Sequence, residues 1–439
     1  QMRFNIRNII LFPLFLCFFA ASSCTKIVRE TDVVVRRNHI HAFVMMSFGY
    51  NDLDRSLKQN ILDMEKGFIP EMKNEEKLLF LYSQGVGQDG KAEKPLLSRI
   101  YLNHSGDLVK ENLLQFGSDE IPNKGENITK VLNCIKDKYH PDSYGMLISS
   151  HGTGWTPPGY MGSPDKFEGF SDNVWSVARL RKQSRHRINV PVPYIRQEDS
   201  IAVKSIGVSW TDDGHKNSYE TDIVELSKAI PFKLEYIIFD ACYMGGVEVA
   251  YELKDKCKWL CASASEILGT GMDYSRLLQR LLQSETPNPM AVCTDFYNLY
   301  ANQSGIYKSA TISMTDCSRI DVLAAVCRAI FRAHEINFKQ CDEAKLQQFF
   351  RNKNRSSQKW FYDLRSVLVA AGADENELAD FDWALQQCVV YREATEYFMN
   401  DYQIKSFCGL GMYLPYSERA YLNDYYKTLS WNVATGLVK

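Results

Sequence analysis

Two apolar runs, Tyr144-Gly-Met-Leu-Ile-Ser-Ser150 and Leu234-Glu-Tyr-Ile-Ile-Phe239, decide the fold of this 439-residue chain. Each run is short and continuous, which is typical of a strand that is buried on both faces of a sheet. Small and polar residues follow directly, as His151-Gly-Thr-Gly-Trp155 and as Asp240-Ala-Cys-Tyr-Met-Gly-Gly246. In a parallel sheet these residues share one edge, the edge at which catalytic and binding sites lie.

Three further apolar runs predict more strands, and helical patterns lie between them. The strands are expected at His41-Ala-Phe-Val-Met-Met-Ser47, Lys77-Leu-Leu-Phe-Leu-Tyr82 and Lys258-Trp-Leu-Cys-Ala-Ser263. Apolar residues recur at helical spacing after the first run, and again around Asn127 to Asp137. Strands that alternate with helices indicate an α/β fold with a mostly parallel sheet flanked by helices.

The chain from residue 276 to 439 is richer in helical patterns. Strand-like runs also occur there, at Ala310 to Met314 and at Gly409-Leu-Gly-Met-Tyr-Leu414. These runs either extend the first sheet or build a small second domain, and periodicity does not separate the two. We therefore expect a core over residues 39–275 and a helix-rich C-terminal region that can contribute strands to the same sheet.

The N-terminus has the pattern of an export signal. Two arginines precede an apolar run from Ile9 to Ala21, which is short for a membrane span because about 20 apolar residues are needed. The next residues, Ser22-Ser23-Cys24, complete a sequence that resembles a bacterial lipoprotein signal; a buried N-terminal helix is the alternative. We expect a signal at 1–24 with lipidation of Cys24, a tether at 25–38, and an exported protein that is either secreted or an outer-membrane lipoprotein of the bacterial envelope.

Composition and charge exclude other classes of function. The net charge of -2 leaves no basic excess to neutralise phosphates, so a general nucleic-acid binder is not expected. Beyond the signal, no apolar run is long enough to predict a membrane span. The 12 cysteines are scattered over a large chain, and most should be buried as small hydrophobic residues; the sequence leaves some disulfides open.

The connection between the two deciding runs is unusually long. About ninety residues separate His151 from Cys242, whereas α/β connections usually have roughly 2–6 residues. The middle of this segment is strongly basic. We interpret about 156–205 as a surface insertion, with a merely solvated charged loop as the plainer alternative.

His151 and Cys242 are candidates for a catalytic pair. Each follows a buried run, so neighbouring strands would bring both to one sheet edge. Imidazole then serves as general base and acid for a thiol nucleophile, while the amides of Gly152 and Cys242 form an oxyanion hole. The N-terminus of a helix expected at Val247 to Leu253, after Cys242, would favour the thiolate. Taken alone, either residue is more often inert, as a buried thiol or a packing histidine.

The two blocks together, Ser149-Ser-His-Gly-Thr-Gly-Trp155 and Phe239-Asp-Ala-Cys-Tyr-Met-Gly-Gly246, resemble the clostripain family of cysteine peptidases in the caspase-like clan. The similarity runs from about Ile40 to the C-terminus. It implies a caspase-like peptidase core over 39–275, and a cysteine endopeptidase in which His151 and Cys242 are catalytic. Supporting stretches are Tyr50-Asn-Asp-Leu53, Ala262-Ser-Ala-Ser-Glu266, Gly271-Met-Asp-Tyr274 and Gly409-Leu-Gly-Met-Tyr-Leu-Pro415.

The resemblance also implies specificity and activation. Asp240 matches the acidic residue that reads arginine or lysine at the cleavage position, since a carboxylate pairs with a guanidinium or ammonium group; an N-cap for the next helix is the alternative. Asp273 is a second pocket candidate, although Met272 stands where the family often has tryptophan, and Glu266 is a weaker one. The family's zymogens self-cleave between the two blocks. The candidate cleavage sites are Arg179, Arg181, Arg185, Arg187 and Arg196.

The expected substrates are proteins or peptides with arginine or lysine at the cleavage position. The chain should be a monomer that becomes a two-chain form after processing. No cofactor is expected to be required. Clostripain is associated with calcium, but Asp212-Asp213-Gly214 does not match a calcium-loop pattern, so no metal ligand is predicted and the sequence leaves calcium dependence open. The alternatives are a non-catalytic envelope lipoprotein that uses the fold for binding, and a peptidase that reads small or acidic side chains.

Overall fold

A nine-stranded sheet carries the fold, and its five central strands run parallel. The computed structural model describes residues 39–162, 164–168, 190–191, 208–210, 217–351 and 359–439, all within one unit, His39–Lys439. Several predictions lie outside the described residues. These are the signal, the tether, Cys24, Asp212-Asp213, and the arginines at 179, 181, 185, 187 and 196.

The strands range from two to eight residues in length. In chain order they are β1 His41–Phe48, β2 Lys77–Gln84, β3 Leu96–Leu102, β4 Leu108–Gln115, β5 Ser143–Ser149, β6 Val190–Pro191, β7 Val208–Trp210, β8 Asn217–Glu220, β9 Leu234–Asp240, β10 Cys257–Ala262, β11 Thr311–Asp316, β12 Tyr362–Asp363, β13 Val389–Ala394, β14 Tyr397–Phe398, β15 Tyr402–Gln403 and β16 Gly411–Met412.

Helices connect most of these strands. In chain order they are α1 Asp54–Glu65, α2 Gly125–Tyr139, α3 Pro164–Glu168, α4 Ile223–Ala229, α5 Val247–Glu252, α6 Tyr274–Leu278, α7 Pro289–Ala301, α8 Ile320–Ala333, α9 Leu364–Ala370, α10 Glu375–Cys388, α11 Ala420–Tyr426 and α12 Ser430–Thr435. A π-helical turn at Gln279–Gln283 continues α6, and short 3-10 turns lie at Gly305–Tyr307, Cys317–Arg319 and Glu343–Lys345.

The strand order in the large sheet is β13-β11-β10-β9-β5-β1-β2-β3-β4. The central five, β10 to β2 in that order, pair in parallel, and the two strands at each edge pair antiparallel. β5 and β9 are direct neighbours despite the long connection between them. The predicted α/β class with a mostly parallel sheet flanked by helices is therefore confirmed.

Both faces of the sheet are buried, which explains why the central strands read as continuous apolar runs. Alternate residues of β1 enter different cores: Val44 and Met46 pack on one face, and Phe43 and Met45 on the other. The same alternation continues through β5 and β9. Each such side chain contributes roughly 1.5–3 kcal/mol of burial free energy, so the register of the central strands is strongly fixed.

Three strands of the large sheet are missing from the sequence prediction. β3 and β4 form an antiparallel hairpin at one edge of the sheet, and β13 pairs with β11 at the other edge. Of the two C-terminal runs, Ala310 to Met314 corresponds to β11 in the large sheet. Strand pairing in the Gly409–Leu414 run covers only β16, which pairs with β12 in a separate two-stranded sheet.

None of the ten cysteines in the described part of the chain forms a disulfide, and all except Cys134 are buried. No helix among the described residues is both long and apolar enough to cross a membrane.

Candidate active site

His151 and Cys242 lie at the carboxyl edge of the sheet, each two residues beyond a pair of facing strand residues. Ser149 of β5 and Asp240 of β9 are opposite each other in the parallel register. His151 and Cys242 each follow two residues later, so they lie side by side just beyond the end of the two strands. His151 is 4% exposed and Cys242 is 1% exposed, and the structure thus brings the predicted pair into one buried site.

A close backbone contact joins the two loops. A Cβ atom at Gly152 would lie 2.1 Å from the carbonyl oxygen of Cys242 and 2.5 Å from its nitrogen. Side chains do not tolerate contacts this short, so only glycine fits between His151 and the strand-β9 loop. Gly152, one of the two predicted oxyanion-hole residues, is therefore in direct contact with the other.

The next residues hold the histidine loop to the body of the protein. Gly154 has a φ of +61°, a left-handed conformation that glycine adopts without strain. Trp155 is fully buried, and its ring packs 4.8 Å from that of Tyr413 and 4.9 Å from that of Tyr426, between centroids. This aromatic cluster fixes the loop that carries His151.

The thiol of Cys242 is covered by the segment that follows β10. The backbone N–H of Ile267 donates to Cys242 Sγ at 3.2 Å, and the sulfur lies 3.8 Å from the carbonyl oxygen of Ile267. The N–H groups of Tyr243 and Gly245 donate to the carbonyl oxygens of Ser265 and Ser263, at 2.9 and 2.7 Å. The segment 263–267 therefore runs along the loop that carries Cys242 and shields the sulfur.

The helix predicted at Val247 to Leu253 is confirmed, since α5 begins at Val247 with Gly246 as its N-cap. Cys242 lies outside the first turn of this helix, where the helix dipole mainly acts, so this geometry does not support the expected effect of the helix on the thiol. The backbone turns at Cys242 and Tyr243, and Tyr243 has a φ of +61°, which is uncommon for a bulky residue and is found most often at functional sites.

Asp240 is fully buried at the end of β9. Its Oδ2 accepts hydrogen bonds from the hydroxyl of Ser149 at 2.8 Å and from that of Tyr274 at 2.5 Å. Burial and the nearby Asp240 carboxylate raise the pKa of Tyr274 well above its usual value, so this tyrosine is a hydroxyl donor. The alternative N-cap role for Asp240 is wrong, because Gly246 occupies that position.

Asp273 lies directly before Tyr274, at the start of helix α6. It is only partly buried, and its carboxylate accepts from the hydroxyl of Ser275 at 2.6 Å. Met272, which stands where the related family often has tryptophan, is buried in the second core. Tyr274 therefore lies next to Asp273 in the chain and donates a hydrogen bond to Asp240.

Glu266 is paired with an arginine of this same chain. Arg351 donates to both carboxylate oxygens, from Nε at 2.7 Å and from an Nη at 3.2 Å. Bidentate pairs of this kind are strong and hold both partners in one geometry. Because Glu266 precedes Ile267, the pair anchors the segment that covers the thiol.

His151 has a partner that the sequence reading missed. Its Nε2 lies 2.5 Å from Oδ1 of Asp52, in the turn between β1 and α1. Within the described part of the chain, His151 Nδ1 is buried without a hydrogen-bond partner. The site therefore contains a carboxylate, an imidazole and a thiol.

Comparison with known proteins identifies the family of this chain. A model of the clostripain family, peptidase family C11, matches residues 194–435, which is more than half of the chain. The chain belongs to the clostripain family of cysteine peptidases. The matched residues include Asp240, Cys242 and Asp273, whereas His151 and Asp52 precede them. Among curated proteins, none matches the chain.

Solved structures of this family share the fold along nearly the whole chain. An inactive zymogen C11 protease from Parabacteroides distasonis has a TM-score of 0.68 and 21% identity, and covers 92% of this chain and 99% of its own. A secreted C11 cysteine protease from Bacteroides thetaiotaomicron, iotapain, has a TM-score of 0.66 and 25% identity, with 90% and 99% covered. A third, from the same organism with an irreversible peptide inhibitor, has a TM-score of 0.64 and 18% identity, with 90% and 98% covered.

One sequence signal could have pointed to Asp52. It follows the end of β1, and β1 neighbours β5 in the sheet, so its carboxyl edge is also the edge that carries His151. The stretch Tyr50-Asn-Asp-Leu53 resembles the family, but the resemblance gives the aspartate no role. Only the strand order tells which carboxylate reaches the imidazole.

The described residues contain no group of three or more histidine, cysteine, aspartate or glutamate side chains that could hold a metal ion. Asp52, His151 and Cys242 offer a carboxylate, an imidazole and a thiol, which are groups that nucleophilic and acid–base catalysis use.

Proposed function

We propose that the chain is an endopeptidase that hydrolyses peptide bonds after arginine or lysine, with Cys242 as the nucleophile and His151 as the general base and acid. The observation that carries this proposal is the alignment of the two residues off the ends of adjacent parallel strands, with Gly152 in contact with the Cys242 backbone. Membership of the clostripain family supports the cysteine-peptidase chemistry.

In the proposed reaction His151 takes the thiol proton, and the thiolate sulfur attacks the carbonyl carbon of the substrate. The amides of Gly152 and Cys242 donate to the resulting oxyanion. The imidazolium then gives its proton to the leaving amine as the carbon–nitrogen bond breaks, which leaves a thioester on Cys242. Water, deprotonated by His151, hydrolyses that thioester and restores the thiol.

Specificity for a basic side chain is assigned to Asp240, assisted by Asp273. Two observations support this role: the buried Asp240 carboxylate lies two residues from the nucleophile, and its hydroxyl partners Ser149 and Tyr274 hold it without supplying a positive charge. A substrate guanidinium or ammonium group would supply that charge.

This specificity is tested with peptides that differ only in arginine, lysine or leucine at the cleavage position. The enzyme should cleave the first two far faster than the third, and Asp240→Asn should lose most of this preference, because asparagine keeps the hydrogen-bond acceptor but not the charge. Asp107→Asn, at an exposed turn, is the matched control. Preference of the parent enzyme for leucine contradicts the role of Asp240.

We further propose that the chain is made as a zymogen and cleaves itself between the histidine and cysteine loops. The covered thiol of Cys242 supports an inactive precursor, and the relative from Parabacteroides distasonis is itself described as an inactive zymogen. The basic insertion supplies residues of the proposed specificity. Its candidate sites are Arg179, Arg181, Arg185, Arg187 and Arg196.

Contacts on both sides of the candidate cleavage sites favour two chains that remain associated in a monomer. Before these sites, Glu168 accepts from the hydroxyl of Tyr160 and from the N–H of Tyr421 at 3.1 Å. After them, the carboxylate of Glu220 accepts from the N–H of Gly159 at 2.7 Å. These contacts do not depend on an intact connection.

The test of self-processing is a denaturing gel of the purified chain beside Cys242→Ala, with Cys134→Ala as the matched control. The parent and the control should each split into two fragments, with a new end after one of the five arginines. Cys242→Ala should stay whole. Splitting of Cys242→Ala to the same extent contradicts self-processing. We propose that no cofactor is required, so processing should continue in excess chelator.

We also propose export with a lipid anchor on Cys24. The signal-like sequence supports it, as does the secreted relative iotapain. In a bacterial host, the parent should partition with the membrane fraction and Cys24→Ser should be released from it. Equal partition of both proteins contradicts lipidation of Cys24 and leaves simple secretion as the alternative.

A further inference from the structure

Asp52 is held in place by its neighbour in the turn after β1. The side chain of Asn51 is buried; its Nδ2 donates to the carbonyl oxygen of Phe48 at 2.8 Å, and its Oδ1 accepts from the N–H of Leu53 at 2.9 Å. These two hydrogen bonds from the Asn51 side chain to the nearby backbone fix the residues on both sides of Asp52. The position of the Asp52 carboxylate is therefore built into the end of the strand.

The contact with His151 determines where the ring carries its proton. An ionised carboxylate only accepts hydrogen bonds, so the 2.5 Å contact from Asp52 Oδ1 requires a proton on His151 Nε2. Burial acts to raise the pKa of Asp52, but the hydrogen bond and charge of His151 outweigh it and lower that pKa below its usual value. The neutral ring then has its basic lone pair on Nδ1.

Nδ1 is the atom that the proposed chemistry needs. It is buried and, among the described residues, lacks a hydrogen-bond partner, on a loop in contact with the Cys242 backbone. An exchange of tautomers, in which the single ring proton moves from Nε2 to Nδ1, would leave an N–H where a base is required. The carboxylate at Nε2 prevents this exchange, and it also stabilises the imidazolium that forms when the thiol is deprotonated.

We infer that Asp52 is a positioning residue for catalysis: its carboxylate holds His151 in the tautomer whose Nδ1 accepts the Cys242 proton. This inference rests on the proposed roles of His151 and Cys242. Asp52 does not support the core, since its side chain is 42% exposed. Loss of its carboxylate should therefore affect chemistry more than folding.

The kinetic test compares the processed parent enzyme with Asp52→Ala and Asp52→Asn, on an arginine peptide and with active sites counted by titration. Asp52→Ala should lower kcat about 10- to 100-fold, the range for loss of a hydrogen bond to a charged group, with KM changed less than about threefold. Asp52→Asn should lie between, since its carbonyl oxygen can still accept. Asp63→Asn, where the carboxylate contacts Lys66 and Gln59 on the same helix face, is the control.

Equal kcat values for the parent and Asp52→Ala, or a change confined to KM, would overturn the role. A second readout does not need turnover: nitrogen NMR of labelled histidine, with the His151 signal assigned by its loss in His151→Asn. The parent ring should be protonated at Nε2, and Asp52→Ala should shift toward a mixture of tautomers. An unshifted ring overturns the inference even if the parent hydrolyses no peptide, whereas an inactive parent with the shift contradicts only the proposed function.

Discussion

Glu248 offers a stability test of how the sheet edge is built. It lies in the first turn of helix α5 and is 1% exposed. One carboxylate oxygen accepts from the N–H of Tyr413 at 2.8 Å and from the hydroxyl of Tyr426 at 2.7 Å. The other oxygen is buried without a hydrogen-bond partner among the described residues. Burial raises the pKa of Glu248 from 4.5 to about 7.

The sign of the pH effect follows from the two pKa values. Between pH 4.5 and about 7, the unfolded chain has released the Glu248 proton while the folded protein still holds it. The free energy of unfolding therefore falls as pH rises through this window, and it stays lower above pH 7. The two pKa values differ by about 2.5, and each unit corresponds to roughly 1.4 kcal/mol, so the loss is on the order of 3 kcal/mol.

Glu248→Gln should remove this loss, because the amide keeps the acceptor for Tyr413 and Tyr426 and carries no charge to bury. At pH 8 the variant should be more stable than its parent by about 3 kcal/mol, and at pH 4 the two should be equal. The measurement is guanidinium unfolding followed by tryptophan fluorescence, in a Cys242→Ala background so that the chain stays intact. Glu235→Gln, at an exposed position of β9, is the control.

The outcome that refutes this reasoning is specific. If Glu248→Gln is less stable than its parent at pH 8, the carboxylate makes an interaction that outweighs its burial. If the variant gains equally at pH 4 and pH 8, the effect is one of packing and does not come from the charge. Glu220, whose pKa is also raised by burial to about 7, should behave in the same way.

Two further changes test the site itself. Gly152→Ala places a Cβ 2.1 Å from the Cys242 carbonyl oxygen, so the loops must separate and kcat/KM should fall about 100-fold. The control is Gly411→Ala, which should retain near-parent activity because the nearest atom to its Cβ would be 3.6 Å away. Equal activity of the two variants contradicts the contact. Arg351→Ala removes the bidentate partner of Glu266 and should speed iodoacetamide alkylation of Cys242 in the uncleaved chain by about 3- to 10-fold. Arg365→Ala, which breaks a similar pair with Asp382, is its control, and an equal effect of both would show that the covering segment does not depend on Arg351.

The central strands could be predicted from the sequence because they are buried on both faces. The runs beginning at His41, Lys77 and Leu234 start at the same residues as β1, β2 and β9. The β3–β4 hairpin gave a weaker signal, since β4 alternates between exposed and partly buried residues and carries Lys110 and Glu111. Edge strands of this kind lack the continuous apolar pattern that two-sided burial imposes.

The candidate site was predictable in part. His151 and Cys242 could be placed because each follows a predicted strand. The two strands, β5 and β9, are neighbours in the sheet, and this brings the two residues together. The path of the chain after Cys242 could not be predicted, because it depends on a close approach: a Cβ at Gly245 would lie 2.6 Å from the nitrogen of Ala264. The pairs Asp52–His151 and Glu266–Arg351 also join residues far apart in the chain. Their identity depends on strand order and loop packing, which no local pattern records.

Labelling of the processed enzyme by a peptide acyloxymethyl ketone that ends in arginine tests the Cys242–His151 pair most directly. The reagent alkylates a nucleophilic thiolate, and the other nine cysteines of the described residues serve as internal controls. Mass spectrometry of the digested protein should find one adduct, on Cys242, formed much more slowly in His151→Ala. An adduct on another cysteine, or a labelling rate that His151→Ala leaves unchanged, would contradict the assignment of this pair.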